Sequence, residues 1–444
     1  MEKNLVADEK IQLVINGFEK FQRHMIEKGN FDCDEFKNFM NQIFSQADYH
    51  KNNIRGGVNL LIIHDAGVGD FIVMSAAIRE IRRLYSTARI TLVVKTIAAD
   101  MAEKCPYVDE IIINEMSFSQ LNLLEVFNWN INFSKKLLKR RYDICFAFGN
   151  VSATPLLAYM SGAKEIIASP LSLDPNMRHI FPANYPHCHY FESLLTEKVP
   201  QNIYGIHMVD KCLALVDHLL KVPSANREIE VWFDHSDLKF VKKFLPRDNK
   251  NFYAICMGGS IDFKKWPPEN YAMMVKKISE FEENAKFILL GGGNSDLKSA
   301  EIFKEQLGKN LFSQKVIDLT DKLSYRQSAA LLSLCKAYIG TDTGTMHAAA
   351  AVKIAVMSTF SFPADLPFTE ESMPKIWYPY NVPSIVVLPR NALSECQNST
   401  NPYGCQMFSR PHCINQIPVE TMVKGFQMLK QQIKKGATEP LYIA

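Results

Sequence analysis

VNLLIIHDAGVGDFIVMSAAIREIRRL (58–84) is the stretch on which the fold turns. VNLLII is a short, unbroken apolar run of the kind that forms a strand buried on both faces. Gly67-Val68-Gly69-Asp70 then gives a tight turn. Ile72, Ala76, Ile78, Ile81 and Leu84 follow at helical spacing. A buried strand, a glycine turn and an amphipathic helix form the first half of a βαβ unit, which requires a parallel partner strand.

Partners follow on both sides of this unit. RITLVVK (89–95), VDEIIIN (108–114), YDICFAF (142–148) and EIIAS (165–169) read as further strands, with a helix through Met101 between the first two. After a polar stretch near 221–250 the alternation restarts with FYAICMG (252–258), a helix over 268–281, KFILLGG (286–292), VIDLT (316–320), a helix over 324–335 and AYIGTDTG (337–344). The helix MHAAAAV and IAVMSTF (354–360), the last strong strand, complete it. Upstream, Ile11, Val14, Phe18, Phe21 and Met25 share one helix face, and Phe36, Phe39, Ile43 and Phe44 repeat the pattern. KNNIRGG (51–57) reads as a connector. Met422, Phe426, Leu429 and Ile433 line a final helix that Gly436 would stop.

The expected class is α/β, with two Rossmann-like parallel-sheet domains facing a cleft and an N-terminal helical extension. Four segments follow: the extension (1–56), a first Rossmann-like domain (57–222), a second (250–415) and a C-terminal helix (416–444). Ligands bind such sheets at the carboxyl ends of their strands.

Bulk properties agree with this reading. The 444 residues carry 50 Lys and Arg against 47 Asp and Glu, a net charge of +3 too even for a dedicated nucleic-acid binder. Hydrophobic residues at 47% and charged residues at 22% argue against a disordered or rod-like chain. No apolar run approaches the roughly 20 residues needed to span a bilayer. MEKNLVADEK lacks a signal peptide's apolar stretch, so a cytoplasmic protein is expected.

Three motifs carry the chemistry. The glycines at 67 and 69 permit close backbone approach, and the helix start offers free N–H groups to an anion. Ile72 occupies the place of the third glycine of a dinucleotide fingerprint, so that reading fails, and no GxxxxGK[ST] exists. On spacing alone, Asp70 reads first as a helix cap. In the second motif, Gly258-Gly259-Ser260-Ile261-Asp262-Phe263-Lys264-Lys265-Trp266-Pro267, a hydroxyl and a lysine suit a diphosphate. A solvated loop anchored by Trp266 is equally compatible. In the third, Gly340-Thr341-Asp342-Thr343-Gly344-Thr345-Met346-His347, a polar cluster ends a buried strand and is hard to explain by packing alone.

Weaker constellations remain. Cys396, Cys405 and Cys413 with His412 lack the tight pairs of zinc sites. His179, His187 and His189 read as a surface loop rather than an acceptor pocket. Asp32-Cys33-Asp34 is the only Asp-x-Asp and reads as a cap, which argues against a metal-held diphosphate. Lys135, Lys136, Lys139, Arg140 and Arg141 suit either an anionic membrane surface or a solvated helix.

In this order and spacing, the three motifs resemble the heptosyltransferases of glycosyltransferase family 9, the ADP-heptose:lipopolysaccharide group with the GT-B fold. LLIIHDAGVGDFIVMSAAIREIRRLYSTARITLVV, KKWPPENY and GTDTGTMHAAAAV carry the likeness, with LLAYMSGAKEI and residues 207–216 in support. The resemblance implies an inverting, metal-independent transfer from a nucleotide sugar, ADP-heptose, with no further cofactor. The acceptor would be a cell-envelope glycan or glycolipid reached from the inner face of the membrane. Asp70 would be the general base, with Gly67, Gly69 and His64 on the acceptor side. Ser260, Lys264, Asp342, Thr343, Gly344 and His347 would hold the donor.

The chain departs from the family where His64 replaces an Arg or Lys, where Ala66 replaces a Gly or Ser, and at Phe360-Ser361-Phe362-Pro363. Alternatives are another nucleotide sugar, a protein acceptor such as an adhesin, or a non-catalytic scaffold. The prefix and the 396–413 segment point to an unusual acceptor or an oligomer contact.

Overall fold

The computed structural model describes residues 7–50, 57–116, 122–148, 154–169, 191–200, 206–246, 251–368, 372–394 and 412–444. Cys396, Cys405, His179, His187, His189 and most of the 51–57 connector lie outside them.

Two parallel sheets organise the chain. The first contains β1 (Asn59–His64), β2 (Arg89–Lys95), β3 (Glu110–Asn114), β4 (Ile144–Phe148), β5 (Glu165–Ala168) and β6 (Glu197–Lys198), in the order β3-β2-β1-β4-β5-β6. The second contains β7 (Asn251–Cys256), β8 (Ala285–Leu290), β9 (Val316–Asp318), β10 (Ala337–Thr341), β11 (Ala355–Thr359), β12 (Ser384–Val387) and β13 (Leu441–Ile443). Its order is β13-β12-β11-β10-β7-β8-β9. Strand order therefore reverses between β1 and β4, and again between β7 and β10. Each reversal opens a crevice at the strands' carboxyl ends. The loops after β1, β7 and β10 are the three motif loops, so all three stand at switch points.

Alternation along β1 divides the first domain's core. Leu60 and Ile62 face the helices Val68–Leu84 and Met208–Leu220, while Leu61 and Ile63 face the opposite layer. The N-terminal helices Ala7–Lys28 and Cys33–Gln46 belong to that opposite layer. Val14, Phe18 and Phe36 are fully buried there, and the Phe36 ring packs edge-on to Phe127 at 5.2 Å. Each such side chain contributes on the order of 1.5–3 kcal/mol on burial. Asp32 caps the second helix by accepting from the Asp34 and Glu35 amides.

The basic run at 135–141 is largely engaged. Lys135 pairs with Glu19 at 3.6 Å, Arg140 donates to Glu110 at 2.8 Å, and Arg141 lies over the Tyr49 ring. Among the described residues no helix is long and apolar enough to cross a membrane.

In the second domain the helix Val419–Lys435 covers the sheet through Met422, Phe426 and Leu429, and the chain then returns to add β13 beside β12. Strands β12 and β13 were not foreseen, because SIVV and LYI are too short to show a period. Ile433, expected on the buried face, is exposed in the helix's last turn, and Gly436 ends the helix with φ +63°.

The linker after Leu220 is bound to both halves. Arg79 donates to the Asn226 and Glu228 carbonyls. Arg326 of the second domain pairs with Asp237 of the linker helix His235–Val241 at 3.0 Å, and with Glu103 and Asp100 of the first domain. One hydrophobic cluster runs from Val68 and Phe71 to Met346 and Ala349, so the halves meet as packed surfaces.

Candidate active site

The three loops enclose a cleft of about 670 Å³. Gly67, Val68, Gly69 and Asp70 border it from the first domain. Ser260, Lys264, Asp342, Thr343, Gly344 and His347 border it from the second. Of the ten residues that the family resemblance assigns to the site, His64 alone is not on its wall.

Two helix N-termini converge on this space. The helix Val68–Leu84 starts at Gly67 and the helix Gly344–Ala351 at Thr343, and neither start has a side-chain cap on its first amides. Their free N–H groups and dipoles make the cleft attractive to negative charge. The two starts nearly touch: a Cβ on Gly344 would stand 3.1 Å from the Gly69 nitrogen.

Asp70 is the third residue of its helix, and its Oδ2 accepts from the Gly67 amide at 3.1 Å. The capping geometry is thus present, but it is formed inside the cleft. Burial raises the Asp70 pKa above the ordinary carboxylate value. The Gly67 N–H and the Lys264 charge oppose that rise, and Asp342 adds to it. A raised carboxylate is a stronger proton acceptor once ionised.

Lys264 ends a single turn, Asp262–Lys264, and reaches across to Asp342 Oδ2 at 2.7 Å. The neighbouring lysine takes another course, since Lys265 bonds Asp262 at 2.9 Å. Trp266 is fully buried and donates to the Ile417 carbonyl at 3.0 Å, so the loop is anchored at one residue while Lys264 faces the cleft. Tyr338 steadies the other loop by donating to the Thr341 carbonyl at 2.8 Å.

His347 is buried against Gly69 and Trp377, and burial lowers its pKa to about 4, so the ring is neutral near pH 7. His64, the last residue of β1, is also buried. Its ring packs edge-on to Phe71 and neither ring nitrogen has a hydrogen-bond partner among the described residues; burial lowers its pKa to about 3. Strand alternation sends this side chain into the core, away from the cleft.

Sequence reasoning missed several wall residues: Leu323, Tyr325, Met373, Trp377 and Asp296. Asp296 accepts from the Gly292 amide at 2.8 Å, and a Cβ on Gly258 would collide with its carboxylate. The glycines closing KFILLGG were its only visible signal. Cys413 packs with Phe362, Leu366 and Ala392 in a small separate core. Among the described residues no group of three His, Cys, Asp or Glu is arranged to hold a metal ion.

Comparison with known proteins agrees with this architecture. The family model of glycosyltransferase family 9 (heptosyltransferase) matches residues 131–406. Lipooligosaccharide heptosyltransferase 2 of Haemophilus ducreyi is 21% identical over 307 residues, covering 66% of this chain and 80% of that protein. The glycosyl transferase family 9 structure from Veillonella parvula superposes with a TM-score of 0.65 at 16% identity, over 85% of this chain and 98% of that one. The Escherichia coli ADP-heptose lps heptosyltransferase II structure gives 0.60 at 16% identity, over 86% and 100%.

Proposed function

The chain belongs to glycosyltransferase family 9, the heptosyltransferases, and from that premise we propose that it transfers a heptose from ADP-heptose to a lipopolysaccharide-core type of glycan with inversion at the anomeric carbon. The observation that carries this reading is that Asp70 and the Lys264–Asp342 pair border one cleft from opposite domains.

In this reaction an acceptor hydroxyl attacks the anomeric carbon from the face away from the nucleotide. The new carbon–oxygen bond forms as the bond to the diphosphate breaks. The hydroxyl proton passes to Asp70, and ADP departs with the bonding electrons. One displacement inverts the centre. Asp70 needs only to accept the proton as the bond forms, a role typically worth 10²–10⁴ in rate.

The diphosphate gains charge as it leaves. Lys264, Ser260 and the amides at 343–345 are suited to stabilise it, and preorganised donors do so at little reorganisation cost. Asp342 and His347 would then meet the sugar. Leu323 and Tyr325 supply an apolar wall for a base, and Asp296 an acceptor for ribose hydroxyls. A glycolipid acceptor would bring the enzyme to the inner face of a membrane.

The test is a donor panel of ADP-heptose, ADP-glucose, GDP-mannose and UDP-glucose, read by nucleotide release with inner-core lipopolysaccharide as acceptor. Mass spectrometry then follows the acceptor. Fastest release from ADP-heptose, with one heptose gained by the glycan, is expected. Preference for a UDP or GDP sugar contradicts the reading.

A further inference from the structure

The protein has four tryptophans. Three have their indole N–H satisfied within the fold: Trp129 donates to Asn114 at 3.1 Å, Trp232 to Glu230 at 3.0 Å and Trp266 to Ile417 at 3.0 Å. Trp377 differs. Its indole N–H has no partner among the described residues, its ring is partly exposed, and it lines the cleft beside Met373. An indole N–H without a protein acceptor, on a ring that forms part of a cleft wall, is open to a ligand that brings the acceptor.

Its position is well defined. Trp377 follows the short helix Met373–Ile376, whose Pro374 carbonyl accepts from the Tyr442 hydroxyl at 3.2 Å. The ring lies edge-on to His347 at 5.7 Å, and His347 in turn is near enough to Asp342 and Lys264 to feel both charges. All four residues belong to the second domain, on the donor side of the cleft. The apolar wall for the base is built from other residues, Leu323 and Tyr325.

We propose that Trp377 is a specificity-determining residue for the transferred sugar, packing its ring against the sugar's C–H face and donating its indole N–H to a sugar hydroxyl. This inference rests on the donor reading above. A pyranose offers an apolar C–H face and flanking hydroxyl acceptors, which match an indole's face and edge. Asp342 would grip the opposite edge of the sugar, so the ring is held between a carboxylate and an aromatic wall. ADP lacks the sugar and would not touch Trp377.

Calorimetry with ADP and with ADP-heptose, without acceptor, separates the possibilities on wild type, Trp377→Ala and Trp377→Phe. The expected result is unchanged ADP affinity in all three proteins, with ADP-heptose weakened about tenfold in Trp377→Ala and by less in Trp377→Phe, which keeps a ring but no N–H. Unchanged ADP affinity also reports an intact fold. ADP-heptose bound by Trp377→Ala as tightly as by wild type overturns the inference. Equal loss for ADP and ADP-heptose also overturns it, since the residue would then support the cleft rather than the sugar. A wild type that binds UDP-glucose or GDP-mannose more tightly than ADP-heptose fails at an earlier point, overturning the donor reading itself.

Discussion

Gly69 and Gly344 stand back to back across the domain boundary, each leaving little room for a side chain on the other. A Cβ on Gly69 would lie 3.1 Å from His347 Cδ2 and 3.3 Å from the Gly344 Cα. Neither residue has a left-handed φ, so the constraint is close approach rather than backbone conformation. The contact sets how near Asp70 comes to the residues around Lys264.

Gly344→Val therefore pushes the two helix starts apart, against the Gly69 nitrogen and the Val68 side chain. Turnover is expected to fall at least ~100-fold, because small displacements of reacting groups are costly. The thermal unfolding midpoint should fall as well, because the boundary is part of one packed cluster. Turnover near the wild-type level would show that this contact does not position the site.

The Lys264–Asp342 pair gives opposite expectations for its two members. Lys264→Ala removes the cation from the cradle and should weaken ADP about 10- to 100-fold, the scale of a charge-assisted phosphate contact. Asp342→Asn removes a negative charge beside the same phosphates and should tighten ADP a few-fold while lowering turnover. Titration of both variants with ADP checks the sign, and parallel weakening would contradict the assignment.

Burial of histidine makes a separate prediction about acid. Burial lowers the pKa of His64 and His207 to about 3 and of His347 to about 4, against 6.5 for an exposed ring. Unfolding below pH 6.5 lets each ring take up a proton that the folded state refuses. Stability is thus complete above pH 6.5 and is lost as pH falls toward 4, by up to about 1.4 kcal/mol per pH unit per ring. His64→Leu replaces a ring whose nitrogens have no hydrogen-bond partners among the described residues. It should keep the urea midpoint at pH 7.5 and flatten the acid slope by about one proton. An unchanged slope would contradict this.

Strand and motif placement was largely legible in the sequence because long apolar runs and glycine turns are local signals. RITLVVK spans β2 residue for residue, and the buried faces of the N-terminal helices follow the spacing from Ile11 to Met25. Spacing makes Asp70 a cap and the resemblance makes it a base, and its cap bond lies within the cleft. What the sequence hid depends on tertiary paths. Trp377 reaches the cleft from a segment with no periodicity, and Asp296 fits beside Gly258 only because β7 and β8 pair. The resemblance puts His64 on the acceptor side, but it ends a strand whose alternation turns it inward.

Asp70→Asn provides the most direct test, because an amide oxygen can still accept from the Gly67 N–H while no longer taking a proton. Burial raises the Asp70 pKa, so the folded state disfavours the ionised form. That residue's contribution to stability is present below its unfolded value near 3.9 and is lost as pH rises through the folded value. The variant should consequently be as stable as wild type or more so at pH 7. Measured side by side with ADP-heptose and inner-core lipopolysaccharide, the account predicts unchanged donor affinity and turnover reduced by about 10²–10⁴. Wild-type turnover by Asp70→Asn would contradict it.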